Sequence, residues 1–152
     1  MGTTETPETG RRGITMVELM LSVAFIAVLS FVSLGIYRLL YVRNDLDLSA
    51  AFFAQLLRRA QVHARAVDGD SPWGVFIAPG SITLFRGVDY ASRAVGLDET
   101  HALPLSVSPA GLDEIVFTKF TGVPQSTGAT TLTSTDGEVR TIVINEHGTV
   151  SY

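Results

Sequence analysis

Arg11-Arg12-Gly13-Ile14-Thr15-Met16-Val17-Glu18 runs directly into nineteen uncharged residues, Leu19 to Tyr37. From Ile14 to Tyr37 the chain has 24 residues and a single charge, Glu18. As a helix that length spans roughly 36 Å, enough for a bilayer core of about 30 Å with some tilt. An ionised carboxylate a turn inside such a segment costs on the order of 2.5–3.5 kcal/mol and marks a functional site with a partner. The nearest candidate partner is an α-amino group, which appears if the chain is cut after Gly13. Arg11 and Arg12 flank one side and Arg38 and Arg43 the other, so basic residues alone do not orient the segment. The short leading arm and the 109-residue trailing domain favour an N-terminus inside and a C-terminus translocated.

Three plainer readings fit less well. A secretory signal peptide has a shorter apolar core and an A-x-A-like cleavage site, and Ala24 to Ala27 do not supply that spacing. A twin-arginine signal rests here on two arginines only, with Glu18 where the signal core should be apolar. A plain signal anchor accommodates the apolar run but leaves Glu18 unexplained.

Beyond the anchor, helical periodicity continues. Leu46, Ala50, Phe53, Leu57, Ala60, Ala64 and Val67 alternate spacings of four and three, which places them on one face. An amphipathic helix is expected over 45–67, burying that stripe against a sheet, with Asn44-Asp45 as a joint or new N-cap. Asp68-Gly69-Asp70-Ser71-Pro72 ends it. Residues 73–152 then read as strands. Trp73 to Ala78 and Ser81 to Phe85 form a hairpin around Pro79-Gly80, and Gly87 to Leu103 reads as a loop. Leu105 to Ser108, Ile115 to Phe120, Thr130 to Ser134, Val139 to Asn145 and Thr149 to Tyr152 are further strands, the last three joined by turns at Asp136-Gly137 and Gly148. The expected fold class is α+β: a long N-terminal helix, membrane-spanning in its first half and amphipathic in its second, packed on a C-terminal antiparallel sheet.

The leader ending in Gly13, then Ile14-Thr15-Met16-Val17-Glu18 and the apolar helix, resembles the type IV pilin and pseudopilin superfamily over roughly Arg11 to Tyr41. The C-terminal half narrows the resemblance. Phe120-Thr121-Gly122-Val123-Pro124, then Gly128, Asp136-Gly137 and Thr141-Ile142-Val143-Ile144-Asn145 with Gly148, looks like the GspH/FimT-type minor pseudopilins. The resemblance implies a leader peptide at 1–13, a transmembrane and filament-core helix at 14–43 and an exported pilin-like head at 44–152. It implies that prepilin peptidase cuts between Gly13 and Ile14 and methylates the Ile14 amine. Glu18 would then set filament register by pairing with the Ile14 amine of a neighbouring subunit. Ile14 departs from the Phe most frequent at the first mature position.

The implied function is a minor subunit of a type II secretion pseudopilus or type IV pilus; a major subunit, or a signal-anchored extracytoplasmic binding protein, are the alternatives. The implied partners are prepilin peptidase, other pilin or pseudopilin subunits, the filament assembly machinery and, before assembly, membrane lipid. The implied location is the cytoplasmic membrane, single-pass with the N-terminus cytoplasmic and the head outside, and then the filament. Gly35, 22 residues into the mature chain, reads either as a point of helix loosening or as a small residue at a helix–helix contact.

Little else in the sequence points to chemistry. Beyond Arg43, seven basic residues face twelve acidic ones, leaving the head at −5 and making nucleic acid an unlikely partner outside a local patch at Arg58, Arg59 and Arg65. The chain has no Cys, so disulfides and thiolate metal sites are ruled out. His63, His101 and His147 lie far apart, and Asp68-x-Asp70-Ser71 lacks the twelfth-position Glu of a calcium loop. Asp113-Glu114 would point to opposite faces of a strand, and the serines lack a Gly-x-Ser-x-Gly elbow. No metal, cofactor or enzymatic activity is expected.

Overall fold

The computed structural model describes residues 13–152, with side chains described for 13–30 and 43–152. The leader residues before Gly13 lie outside the described residues. The chain falls into two compact units, Met1–Arg38 and Leu39–Tyr152.

Met16–Arg65 (α1) is helical. The fold expected from the sequence is nonetheless corrected. The described side chains of α1 lie on two shorter stretches, 16–30 and 43–65, which belong largely to different units. Only the second stretch belongs to the unit that carries the strands, and it supplies the helical part of the core. The strands form two antiparallel sheets, not one. Among the described residues no helix is long and apolar enough to cross a membrane. The expected joint at Asn44-Asp45 is also absent: helix runs through it, and the Asp45 carbonyl accepts the Ser49 hydroxyl at 2.6 Å inside the helix.

The strands are Trp73–Ala78 (β1), Ser81–Arg86 (β2), Glu99–Ala102 (β3), Val107–Gly111 (β4), Glu114–Phe117 (β5), Gly128–Ser134 (β6), Val139–Ile144 (β7) and Val150–Ser151 (β8). Their spatial order is β3-β2-β1-β5 in the first sheet and β4-β6-β7-β8 in the second. β1 and β2 form a tight hairpin in which Ala78 pairs with Ser81, and Gly80 takes the positive φ of 85° that the turn requires.

One core joins the helix to both sheets. Leu46, Ala50, Phe53, Leu57, Ala60 and Ala64 are each 1% exposed or less, and they meet Val75, Ile77, Leu84 and Ile115 from the first sheet and Leu132 and Ile142 from the second. The period of α1 and the alternation of the strands thus bury complementary faces. Val67, the last residue of the predicted stripe, falls out of it. The helix stops at Arg65, and Val67 sits at φ 58°, a left-handed conformation that is costly for a β-branched residue.

That helix end is tied down from the other side. The Phe120 N–H donates to the Ala64 carbonyl at 3.1 Å, satisfying one of the orphan acceptors of the last turn. Arg58, Gln61 and Arg65, on one side of the helix, donate to the carbonyls of Val150, Gly122 and His147, and Thr121. Gly122 and Gly148 have positive φ, and a Cβ on either would run into the Arg65 or Gln61 side chain. Gly122 and Gly148 therefore have a local reason to be glycine.

The segment Gly87 to Leu103 is more ordered than its sequence pattern implied. It contains β3, which pairs with β2, and an excursion that covers the outer face of the first sheet. Tyr90 stacks on Phe76 at 4.0 Å and meets Phe85 edge-on, while Arg93 lies 3.7 Å over the Tyr90 ring and bonds Asp98 at 2.7 Å. Periodicity could not announce this, because one aromatic and one ion pair hold the segment.

Phe53 and Leu48 test this arrangement, because both lie on α1 but only Phe53 is buried, Leu48 being 64% exposed. Phe53→Ala should lose about 3–5 kcal/mol in urea unfolding, and Leu48→Ala should stay within about 0.5 kcal/mol. Trp73, the only tryptophan and 8% exposed, reports both transitions by fluorescence.

Candidate functional site

The sequence-predicted site residues Gly13, Ile14 and Glu18 lie at the start of the first unit. Gly13 precedes the helix, and a Cβ placed on it would meet nothing within 4 Å. Ile14 is 74% exposed. The Gly13–Ile14 bond therefore sits in open, non-helical chain, the geometry that proteolysis favours.

Thr15 opens α1. Its hydroxyl accepts the Glu18 N–H at 3.3 Å, and its carbonyl accepts the Leu19 N–H at 3.1 Å. Thr15-x-x-Glu18 is thus a capping-box spacing, with Thr at the N-cap and Glu at the third helical position. The spacing is legible in the sequence itself. It gives Glu18 a local role: a carboxylate in the first turn is favoured by the helix dipole.

Apart from Glu18, Ser22 and Ser30, the helix is apolar on every side over 16–30. Met16, Val17, Leu19, Met20, Leu21, Val23, Phe25, Ile26, Val28 and Leu29 are each at least 57% exposed. A helix that is hydrophobic all round belongs inside a larger apolar body, and each such side chain gains about 1.5–3 kcal/mol when fully buried. Ser22 and Ser30 do not oppose that burial, because their hydroxyls bond back to the carbonyls of Glu18 and Ile26 at 2.6 and 2.8 Å. Arg11 and Arg12 lie outside the described residues, and so do the surroundings of Gly35.

The candidate sites in the head resolve into structural contacts. His63 bonds Asp68 at 2.9 Å and stacks on Trp73 at 4.5 Å. Asp70 pairs with Lys119 at 2.7 Å, so the two aspartates of the calcium-like sequence turn to different partners. His101 meets Phe52 edge-on, and Glu114 accepts the Tyr90 N–H at 2.7 Å. Among the described residues no group of three or more His, Cys, Asp or Glu is placed to hold a metal. Nor do the arginines make one patch: Arg59 bonds both Glu99 oxygens at 3.0 and 3.1 Å, while Arg58 and Arg65 are turned to carbonyls.

The head also carries a groove of about 320 Å³ between α1 and β3, walled by Leu48, Phe52, Leu103 and Pro104. No local pattern announces it, because its walls come from separate segments. No family model, curated protein or solved structure matches the chain.

The Asp70–Lys119 pair carries a pH prediction. The Lys119 hydrogen bond, reinforced by its charge, holds the Asp70 carboxyl below its ordinary value of 3.8. A depressed folded value means that the contribution to stability is present above the unfolded value and is lost as pH falls through the folded one. Carboxyl-carbon NMR should show Asp70 titrating below 3.8, and Lys119→Met should return it toward that value.

Proposed function

We propose that this chain is a structural subunit, a minor pilin or pseudopilin, of a type II secretion pseudopilus or type IV pilus. Prepilin peptidase cuts after Gly13 and methylates the Ile14 amine. The apolar segment holds the subunit at the cytoplasmic membrane, with the head outside, until assembly transfers that segment into a filament of like subunits. The observation that carries this reading is the all-round apolar surface of residues 16–30, in which Glu18 at its start is the one charge. That surface requires an apolar environment, and packed copies of itself supply one as well as lipid does.

Within such a packing, Glu18 pairs with the Ile14 amine of a neighbouring subunit. Each charge alone is costly in low dielectric, so the pair favours one axial register. The capping box supports a second, purely local role for Glu18 in starting the helix. The two roles differ in what the carboxylate must do. A cap tolerates Gln, because Gln fills the same position in a capping box. An ion pair does not.

Glu18→Gln and Glu18→Ala should therefore both be cleaved normally, and both should be incorporated into filaments at least about tenfold less well. A tenfold fall is about 1.4 kcal/mol, the least expected where an uncompensated buried amine costs several kcal/mol. The readout is the amount of each variant in sheared filament fractions relative to membranes. Normal incorporation of Glu18→Gln would leave Glu18 as a cap alone. A major subunit is distinguished by copy number, since it must dominate purified fibres.

A further inference from the structure

Each sheet has two edge strands, and three of those edges are blunted. β5 pairs on its outer side with the chain that follows it, through the Phe117–Pro124 bridge and the Gln125 N–H, which donates to the Val116 carbonyl at 2.8 Å. β4 carries Pro109, and β8 has only two residues. β3 is the exception, because among the described residues no strand lies on its outer side. The Leu103 N–H donates to the Gly80 carbonyl at 3.0 Å, which fixes the phase of the pairing with β2. The backbone groups of Glu99 and His101 therefore face β2. Those of Thr100 and Ala102 point away from it, and both residues are exposed.

The groove between α1 and β3 runs along this same edge. His101 turns its ring to Phe52, so the odd-numbered side chains of β3 face the helix. A strand laid against β3 would bond Thr100 and Ala102 and turn every second side chain into the groove, between Leu48 and Leu103. At about 320 Å³ the groove is small for a ligand pocket, which suits side chains of a segment rather than a whole cofactor. Asp45 is the one carboxylate in its lining. The Ser106 hydroxyl donates to that carboxylate at 3.3 Å, which places it at the end of the groove past Leu103.

We propose that β3 and this groove bind an extended segment of another protein, in which a cation precedes apolar residues at alternate positions. The inference uses the second unit alone and goes beyond the filament reading. Each feature selects part of the occupant. Free N–H and C=O groups two residues apart match a peptide backbone, which a sugar or a nucleic acid does not supply. Leu48, Phe52 and Leu103 match apolar side chains at every second position. Asp45, on a head of net −5, matches a positive charge. In an antiparallel segment the residue nearest Asp45 is the N-terminal one, so the cation comes first and the apolar residues follow. A second copy lacks this pattern: the helix-side residues of its own free edge are Glu99 and His101, a carboxylate and an imidazole where the groove is apolar.

Fluorescence polarisation tests this with the full chain in detergent micelles. The probe is an acetylated Lys-Thr-Leu-Thr-Leu-Thr peptide carrying fluorescein at its C-terminus. The expected result is saturable binding that is lost when the threonine nitrogens are methylated, a change that removes the strand bonds and keeps the side chains. Leu48→Lys and Ala102→Pro should each weaken binding at least about tenfold. Both variants should stay folded, because Leu48 is exposed and the Ala102 N–H does not face β2, and urea unfolding read by Trp73 checks this. Asp45→Asn should remove the preference for this peptide over one with Glu in place of Lys. Absence of saturable binding overturns the site. Equal binding of the methylated peptide overturns strand addition, and equal binding by the folded Leu48→Lys and Ala102→Pro chains overturns its place. Self-association of the free chain that Ala102→Pro abolishes makes a second copy the occupant and overturns the assignment to another protein.

Discussion

The burial of one helical stripe against two sheets is the constraint on which the head depends. Phe53, Leu57 and Ala60 sit at the centre of it, and strands from both sheets reach them. Neither sheet is large: each has four strands, and β8 has two residues. Small sheets need a shared apolar partner to be stable, and the helix supplies it. The polar side of the same helix then fixes the loops. Gln61 and Arg65 hold carbonyls of two turns far away in sequence, Arg58 holds one of β8, and Phe120 returns a hydrogen bond to the helix end.

The two units answer to opposite rules. Residues 43–65 show apolar side chains on one face and find a partner within their own chain. Residues 16–30 show them on every face and find none among the described residues. The second unit thus completes a core of its own, whereas residues 16–30 present exposed apolar side chains. Glu18 stands at the start of that surface, in the first helical turn, where the helix dipole favours a carboxylate.

The sequence carried the helix stripe, the β1–β2 hairpin and the turns at Gly137 and Gly148, because those features repeat at the periods of helix and strand or need a special φ. It did not carry the division of the strands into two sheets. Strand order depends on pairings between segments far apart, such as β1 with β5, and no local pattern encodes them. β3 was missed because an edge strand with exposed Glu99, Thr100 and Ala102 lacks apolar alternation. The Thr15–Glu18 box was legible but was eclipsed by the carboxylate's oddity in an apolar segment.

The central claim is that the apolar arm begins at a new N-terminus made by cutting after Gly13. Intact-mass and N-terminal peptide analysis of the chain, expressed with and without an active prepilin peptidase, tests it directly. The account predicts a peptidase-dependent species that starts at Ile14 and carries one methyl group on its amine. A chain that still starts at Met1 beside a peptidase active on a control substrate would contradict it.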